Sequence, residues 1–207
     1  MSLAGLFLMF FLLIHLSTNF LMLLGSRDAF DQAVAFLSAN PLIKVMEYVL
    51  FAGFLIHIII GALIQLHNYR SRPVKYHVKL KSETATFSRF MFHTGVIIFI
   101  FLVIHLINFY FIRLGLVDIP EHANDSHDFY NMAVVLFSNP WYCGIYLLAF
   151  VFLGFHLNHA FQSAFQTLGL NHSKYFPAIK VIGSLYALLI SIGFALIPLY
   201  FLFIYQA

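Results

Sequence analysis

The sequence predicts an all-α membrane protein, in which five transmembrane helices form one bundle and a single domain over residues 1–207. Two observations support this fold class. Of the 207 residues, 62% are hydrophobic and 9% are charged, whereas a soluble domain carries about 25% charged residues. In addition, several apolar segments are long enough to cross a bilayer, which takes roughly 20 helical residues. These five segments span residues 3–24, 42–67, 90–112, 141–165 and 178–205.

The distribution of lysine and arginine predicts the orientation of the helices. Most of these residues lie in or beside the loops that join segment 2 to 3 and segment 4 to 5. The positive-inside rule places these loops in the cytoplasm. We therefore expect the N-terminus inside and the C-terminus outside. The basic residues on the predicted inner side are Arg70, Arg72, Lys75, Lys79, Lys81, Arg89, Lys174 and Lys180.

The first four segments contain an internal repeat. Residues 11–16 resemble residues 101–106 at an offset of 90, and the Asn-Pro pair at 40–41 recurs at 139–140. The repeat predicts that segments 1–2 and 3–4 are related by an axis along the membrane normal. Proline is favoured in the first turn of a helix, so each Asn-Pro pair should start a membrane helix. Residues 31–37 and 128–137 are predicted to form short amphipathic helices at the outer surface.

Each of the first four segments carries a histidine roughly ten residues, about 15 Å, from its C-terminal end. Segments 1 and 3 run outward, which places His15 and His105 at an outer depth. Segments 2 and 4 run inward, which places His57 and His156 at an inner depth. Two imidazoles that face each other at one depth suit an iron porphyrin between them. Such a site has no open coordination position, so the pattern favours electron transfer over oxygen chemistry.

Other interpretations of the histidines remain open. A single histidine in a membrane helix can be a hydrogen-bonded packing residue, although four at paired depths favour ligation. Zinc is disfavoured, because each depth offers two ligands and no carboxylate or thiolate completes a tetrahedral site. One alternative function is a transporter or channel that uses the histidines as a proton relay without haem. A second alternative is a stand-alone two-haem transmembrane reductase.

Small and polar residues near the histidines suit a flat ligand. Gly53 and Gly61 lie four residues on either side of His57, so they are predicted to clear space for a ring on that face of the helix. Asn19 and Asn108 follow the outer histidines by four and three residues and would place polar groups beside them.

Two further stretches are distinctive. One reads Phe155-His-Leu-Asn-His-Ala-Phe-Gln-Ser-Ala-Phe-Gln-Thr-Leu-Gly-Leu-Asn-His172, and the other reads Ser88-Arg-Phe-Met-Phe-His-Thr-Gly95. Together with the spacing of the four histidines, they make the whole chain resemble a known family. This family is the single-chain cytochrome b membrane anchor of succinate dehydrogenase and fumarate reductase (respiratory complex II). The chain most resembles its Bacteroidetes-like type with five helices and two haems.

This resemblance implies a function for the chain as a whole. It implies two b haems, with His15 and His105 on the outer iron and His57 and His156 on the inner iron. The chain would carry electrons between a cytoplasmic iron–sulfur subunit and menaquinone, or another quinone, in a complex of the respiratory chain and tricarboxylic acid cycle. A flavoprotein subunit would hold the dicarboxylate chemistry, so this chain would be the quinone-reactive subunit of the enzyme.

The resemblance also implies a location, partners and further site residues. The chain would be a multi-pass protein of the bacterial inner membrane, in contact with lipid, in a complex that can form a higher oligomer. No nucleic-acid partner is expected. Haem propionates would meet polar groups near the cytoplasmic face, although Arg89 could equally be a membrane-edge anchor. These groups are Ser2, Ser88, Arg89, His93, His159 and Ser163.

One acidic residue, Glu47, lies within an apolar segment. By helix rise it is roughly 7 Å below the outer end of segment 2, between that surface and the outer histidines about 15 Å deep. A carboxyl there could exchange protons with a quinone, and we expect Glu47 to serve as the catalytic proton-exchange group. The alternative is a carboxyl at the membrane edge that pairs with Lys44 or Tyr48.

Overall fold

The computed structural model describes residues 1–24, 27–71 and 83–205, with the backbone alone at residues 83–89. The described residues contain no β-strand, and the predicted all-α fold is confirmed. Within these ranges, five helices are long and apolar enough to cross a membrane, which makes this a multi-pass membrane protein. They are Ser2–Leu23, Pro41–Arg70, Phe90–Arg113, Pro140–Thr167 and Phe176–Phe203.

The helices follow the predicted segments closely. Between residues 105 and 113 the third membrane helix changes geometry: a π-helical turn, Leu106–Tyr110, joins α4 (Glu83–His105) to the short α5 (Phe111–Arg113). Both predicted short helices are present, as α2 (Arg27–Ala39) and α6 (Phe129–Phe137). The helices are α1 Ser2–Phe20, α2 Arg27–Ala39, α3 Pro41–Arg70, α4 Glu83–His105, α5 Phe111–Arg113, α6 Phe129–Phe137, α7 Pro140–Thr167 and α8 Phe176–Phe203.

The two Asn-Pro pairs start α3 and α7, as predicted. The side chain of Asn40 accepts a hydrogen bond of 2.9 Å from the backbone N–H of Leu42. The side chain of Asn139 accepts one of 3.0 Å from the N–H of Trp141. An asparagine that caps a free N–H, followed by a proline that needs none, is a strong helix start.

The membrane helices form an incomplete square of four with a fifth helix at one side. Helix α1 packs against α3 and α7, and α4 packs against α7, so that α1 and α4 stand diagonally opposite, as do α3 and α7. Helix α8 packs against α7 and α1 and closes that side of the square. The buried core lies between α1, α6, α7 and α8 and includes Ile190 and Tyr146. None of the residues of α3 is buried against the described part of the chain.

Helix α8 is tied to α1 and α7 by close contacts. The hydroxyl of Tyr186 donates a 2.6 Å hydrogen bond to the backbone carbonyl of Met9 in α1. Gly193 lies directly against Leu16, so close that a Cβ atom would be 2.7 Å from the leucine side chain. Because these contacts hold α8 outside the square, the inside of the square is left to the residues of α1, α3, α4 and α7.

The short helices α2 and α6 are joined at one end of the bundle by a buried carboxylate. Asp128 caps α6 and accepts hydrogen bonds from Asn124, from Asn131 and, at 3.1 Å, from Arg27 of α2. Burial by itself would raise the pKa of Asp128, but these hydrogen bonds and the charge of Arg27 outweigh it, and the pKa lies below its ordinary value of 3.8. The ionised carboxylate therefore stabilises this junction.

Candidate functional site

Four histidines meet in two pairs inside the square, as the sequence predicts. The imidazole rings of His15 in α1 and His105 in α4 have centroids 5.9 Å apart, and we call them the first pair. The rings of His57 in α3 and His156 in α7 have centroids 6.3 Å apart, and we call them the second pair. Each pair joins two diagonally opposite helices, so its rings meet across the interior of the square.

The separation of the rings fits a single metal ion between them. An imidazole nitrogen binds a first-row metal ion at about 2.0 Å and lies roughly 1.1 Å from its ring centre, so two rings on opposite sides of one ion have centres about 6 Å apart. Both pairs match this spacing. Among the described residues no group of three or more histidine, cysteine or acidic side chains could hold a metal. Two imidazoles alone suit a group such as a porphyrin, which supplies its own equatorial ligands.

In the second pair, one imidazole has a hydrogen-bond partner and the other has none among the described residues. The hydroxyl of Thr94 donates to the carbonyl oxygen of Met91 at 2.9 Å and lies 3.2 Å from Nδ1 of His156. The hydroxyl proton of Thr94 is therefore used in the bond to Met91, so the hydroxyl oxygen accepts from Nδ1–H of His156. This leaves Nε2 of His156 free to ligate. Nδ1 of His57 is buried without a partner.

The first pair lies among aromatic rings and shows the same imbalance. His105 contacts the rings of Phe101 and Phe109 at 5.8 and 5.2 Å, and its Nδ1 is buried without a described partner. The amide nitrogen of Asn19 donates to the carbonyl of His15 at 2.7 Å and lies 3.3 Å from Nδ1 of the same residue. An amide nitrogen cannot accept a proton, so ligation through Nε2 requires the Asn19 side chain to rotate.

Two glycines that the sequence reasoning missed lie against the second pair. A Cβ atom at Gly5 would be 3.6 Å from Cε1 of His57, and one at Gly95 would be 3.6 Å from Cε1 of His156. The internal repeat could have identified these two glycines from the sequence, because Gly5 and Gly95 are separated by the same offset of 90. The predicted glycines face α1: the atom nearest to a Cβ at Gly53 belongs to Phe7, and at Gly61 to Met1. Their proposed clearance for a flat ligand stays a prediction.

The other predicted polar residues are spread along the helices. Ser2, His159 and Ser163 are half-buried, and His93 is exposed between the rings of Phe90 and Phe92. The side chains of Ser88 and Arg89 lie outside the described residues. The predicted contact of all these groups with haem propionates stays a prediction. Asn108, predicted beside His105, donates a 3.1 Å hydrogen bond to the hydroxyl of Tyr146, whose ring is 6.2 Å from that of His105.

Glu47 bridges α3 to the third membrane helix. Tyr110 donates a hydrogen bond of 2.5 Å to Oε1, and Arg113 donates one of 3.2 Å to Oε2. These partners replace Lys44 and Tyr48, the pair that the sequence suggested for a structural carboxyl. The Glu47 side chain is 25% exposed, so it is accessible from one side. Among the described residues it joins two helices that otherwise have little contact.

The π-helical turn lies between the first pair and the Glu47 cluster. It starts directly after His105, contains Asn108 and ends at Tyr110. Such a turn adds a residue to the helix and is frequent at functional sites. Because it changes the phase of the helix, it separates the face that presents His105 from the face that presents Tyr110 and Arg113. No feature of the sequence indicated it.

Comparisons with protein-family models, curated proteins and solved structures gave no significant match to this chain.

Proposed function

We propose that this chain is the membrane anchor and electron-transfer subunit of a succinate:quinone oxidoreductase. It would carry electrons through two b haems between a cytoplasmic iron–sulfur subunit and menaquinone or another quinone. The observation that carries the proposal is the pairing of the four imidazoles at 5.9 and 6.3 Å. The resemblance of the 155–172 run to the anchor family supports the choice of complex.

The chain contributes ligands, orientation and a dry environment to these sites. Haem, when bound, would supply a one-electron carrier, and the histidines of each pair would be its protein ligands. The Thr94 hydroxyl accepts from Nδ1–H of His156, which leaves Nε2 of that ring as the nitrogen that would ligate. Phe11 and Phe194 cover His15, with ring centroids at 5.2 and 5.7 Å. Apolar walls of this kind exclude water and help to set the potential of a redox centre.

The basic loops support the orientation, and the resemblance to the anchor family supports the partners. The excess of lysine and arginine in the 2–3 and 4–5 loops supports a cytoplasmic position for them, with the N-terminus inside the bacterial inner membrane. A flavoprotein and an iron–sulfur subunit would dock on this side. The dicarboxylate chemistry would then lie in those subunits.

Glu47 is the group we assign to proton exchange with the quinone. Oxidation of a quinol releases two protons for every two electrons, so a proton acceptor is needed near the electron acceptor. Glu47 lies one π-helical turn away from the first pair, through its partner Tyr110. A carboxylate that is held by two donors and open on one side can take up a proton and pass it to solvent.

A spectrum of the protein purified from membranes tests the proposal. We expect a reduced b-type spectrum, two haems per chain by haem extraction, and co-purifying flavin. A protein without a chromophore would overturn the proposal and favour the histidine-relay transporter. Two haems without flavin, after purification in mild detergent, would favour the stand-alone transmembrane reductase.

A further inference from the structure

The two histidines of the second pair face matching glycines. Each ring lies 3.6 Å from the position of a Cβ on the glycine that faces it, Gly5 for His57 and Gly95 for His156. The two glycines correspond in the repeat. The surroundings differ at the preceding residue, because Ala4 stands where the other copy has Thr94.

The difference between Thr94 and Ala4 is the one that bears on the unpartnered nitrogen. Thr94 is buried, with 8% of its surface exposed, and its hydroxyl bridges the Met91 carbonyl to Nδ1 of His156. In the first copy the corresponding carbonyl belongs to Met1, but Ala4 has no hydroxyl to form the bridge. Nδ1 of His57 is consequently buried without a described partner. Buried polar atoms without a partner are uncommon, and a role at a redox centre is one of the explanations for them.

We infer that Thr94 is a positioning residue that gives the second pair one firmly held and one loosely held imidazole, and thereby sets the potential of the metal centre between them. This inference rests on the proposed function. A hydrogen bond from Nδ1–H makes the ligating nitrogen a stronger donor. A stronger donor stabilises the oxidised iron and lowers its midpoint potential. His57 lacks this hydrogen bond because Ala4, at the corresponding position, has no hydroxyl.

The inference makes opposite predictions for two substitutions. Thr94→Val keeps the shape of the side chain but removes the hydroxyl, so the midpoint potential of the second-pair haem should rise. Ala4→Thr should lower it, because the new hydroxyl can bridge the Met1 carbonyl to His57. We expect a threefold to tenfold change in the equilibrium between oxidised and reduced haem, which is roughly 30–60 mV for one electron. Thr94→Ser keeps the hydroxyl and should keep the wild-type potential.

The experiment is a redox titration of the full-length protein in its native complex, monitored by optical and electron paramagnetic resonance spectroscopy. The first-pair haem serves as an internal control, and its potential should not move. Equal shifts in Thr94→Val and Thr94→Ser, or no shift in a fully loaded Thr94→Val protein, would overturn the inference. If Thr94→Val does not assemble, the Ala4→Thr variant provides the test. Ala4 is half-buried, and an unchanged potential in a haem-loaded Ala4→Thr protein counts against the inference.

Failure of the inference differs from failure of the proposed function. A wild-type protein without haem overturns the function before any variant is made. If the protein binds haem but its midpoint potentials do not change in the Thr94 and Ala4 variants, the inference alone is overturned.

Discussion

Tyr110 donates a 2.5 Å hydrogen bond to Glu47 across the contact between α4's π-helical extension and α3. Arg113, one turn further along, donates to the second oxygen of the same carboxylate at 3.2 Å. Both oxygens of Glu47 are thus held by a neighbouring helix, close to the first pair. The carboxylate has a fixed position, which a group that exchanges protons with a bound substrate requires.

We expect Glu47→Gln to keep both haems and the soluble dehydrogenase activity while quinone-linked turnover falls by about 10²-fold, as for the loss of a general base. Glutamine keeps the size of the side chain but cannot take up a proton. The measurement compares succinate oxidation by an artificial acceptor with quinone reduction in the same preparation. Tyr110→Phe is the matched control, which removes a partner but leaves the carboxyl and should lose less. Wild-type quinone turnover in Glu47→Gln would remove this residue from the mechanism.

Single histidine substitutions should separate the two metal centres. We expect His57→Ala or His156→Ala to lose the second-pair haem, and His15→Ala or His105→Ala to lose the first-pair haem. Haem extraction should give one haem per chain in each variant. The ring planes are inclined by 81° in the first pair and 70° in the second. Each remaining haem should therefore show the strongly anisotropic low-spin signal that crossed axial planes produce. Loss of both haems from every variant would argue against independent sites.

Large side chains at the second-pair glycines should block that site. A Cβ at Gly5 or Gly95 would make ordinary contact with an imidazole, so alanine should be tolerated and leucine should not. Overpacking costs about 1–3 kcal/mol, and here it acts directly on a ligand ring. We expect Gly5→Leu and Gly95→Leu to lose the second-pair haem and keep the first.

Gly53→Leu and Gly61→Leu provide the comparison. If these two glycines clear space for the haem, as the sequence suggested, their leucine variants should also lose the second-pair haem. If they serve only the packing of α1 on α3, through Phe7 and Met1, the variants should lower thermal stability with both haems present. Haem content and melting temperature, measured together, distinguish the two roles.

The junction of α2 and α6 should be sensitive to acid. The pKa of Asp128 is lowered in the folded protein. Its stabilisation is therefore complete above the ordinary carboxyl pKa and is lost as the pH falls through the lowered value. We expect Asp128→Asn to cost about 1–3 kcal/mol at neutral pH and to weaken the acid dependence.

The single cysteine of the chain offers a measurement of this effect. Cys143 is 1% exposed in the first turns of α7, close to the junction. A thiol-reactive dye should label it only when this end of the bundle opens during heating. A midpoint temperature with the same pH profile in wild type and Asp128→Asn would show that the carboxylate does not hold the junction.

Much of the fold could be predicted because single helices have readable signals. Apolar length located the membrane helices, and Asn-Pro marked the starts of α3 and α7. The pairing of the histidines was predictable from depth, since each histidine has a defined distance from its helix end and the helices alternate in direction. The repeat independently supported the same pairs.

Contacts between helices could not be predicted in the same way. Helical periodicity states which residues share a face, but it does not state which helix that face meets. The structural alternative for Glu47 consequently named a neighbour on its own helix, Lys44 or Tyr48, whereas its partners come from the next membrane helix. The π-helical turn that brings Tyr110 there has no sequence signal. Gly5 and Gly95 were missed although the offset of 90 relates them, because the histidines that they face, His57 and His156, lie on other helices.

The diagonal placement of the pairs has a consequence for biogenesis. A membrane protein is synthesised and inserted from its N-terminus, so the hairpin of α1 and α3 reaches the bilayer before that of α4 and α7. Each hairpin carries one imidazole of each pair, and neither holds a pair of its own. Both histidine pairs are therefore completed in one event, when the second hairpin docks on the first. An iron porphyrin bound at that moment would cross-link the two hairpins and so stabilise their docked arrangement.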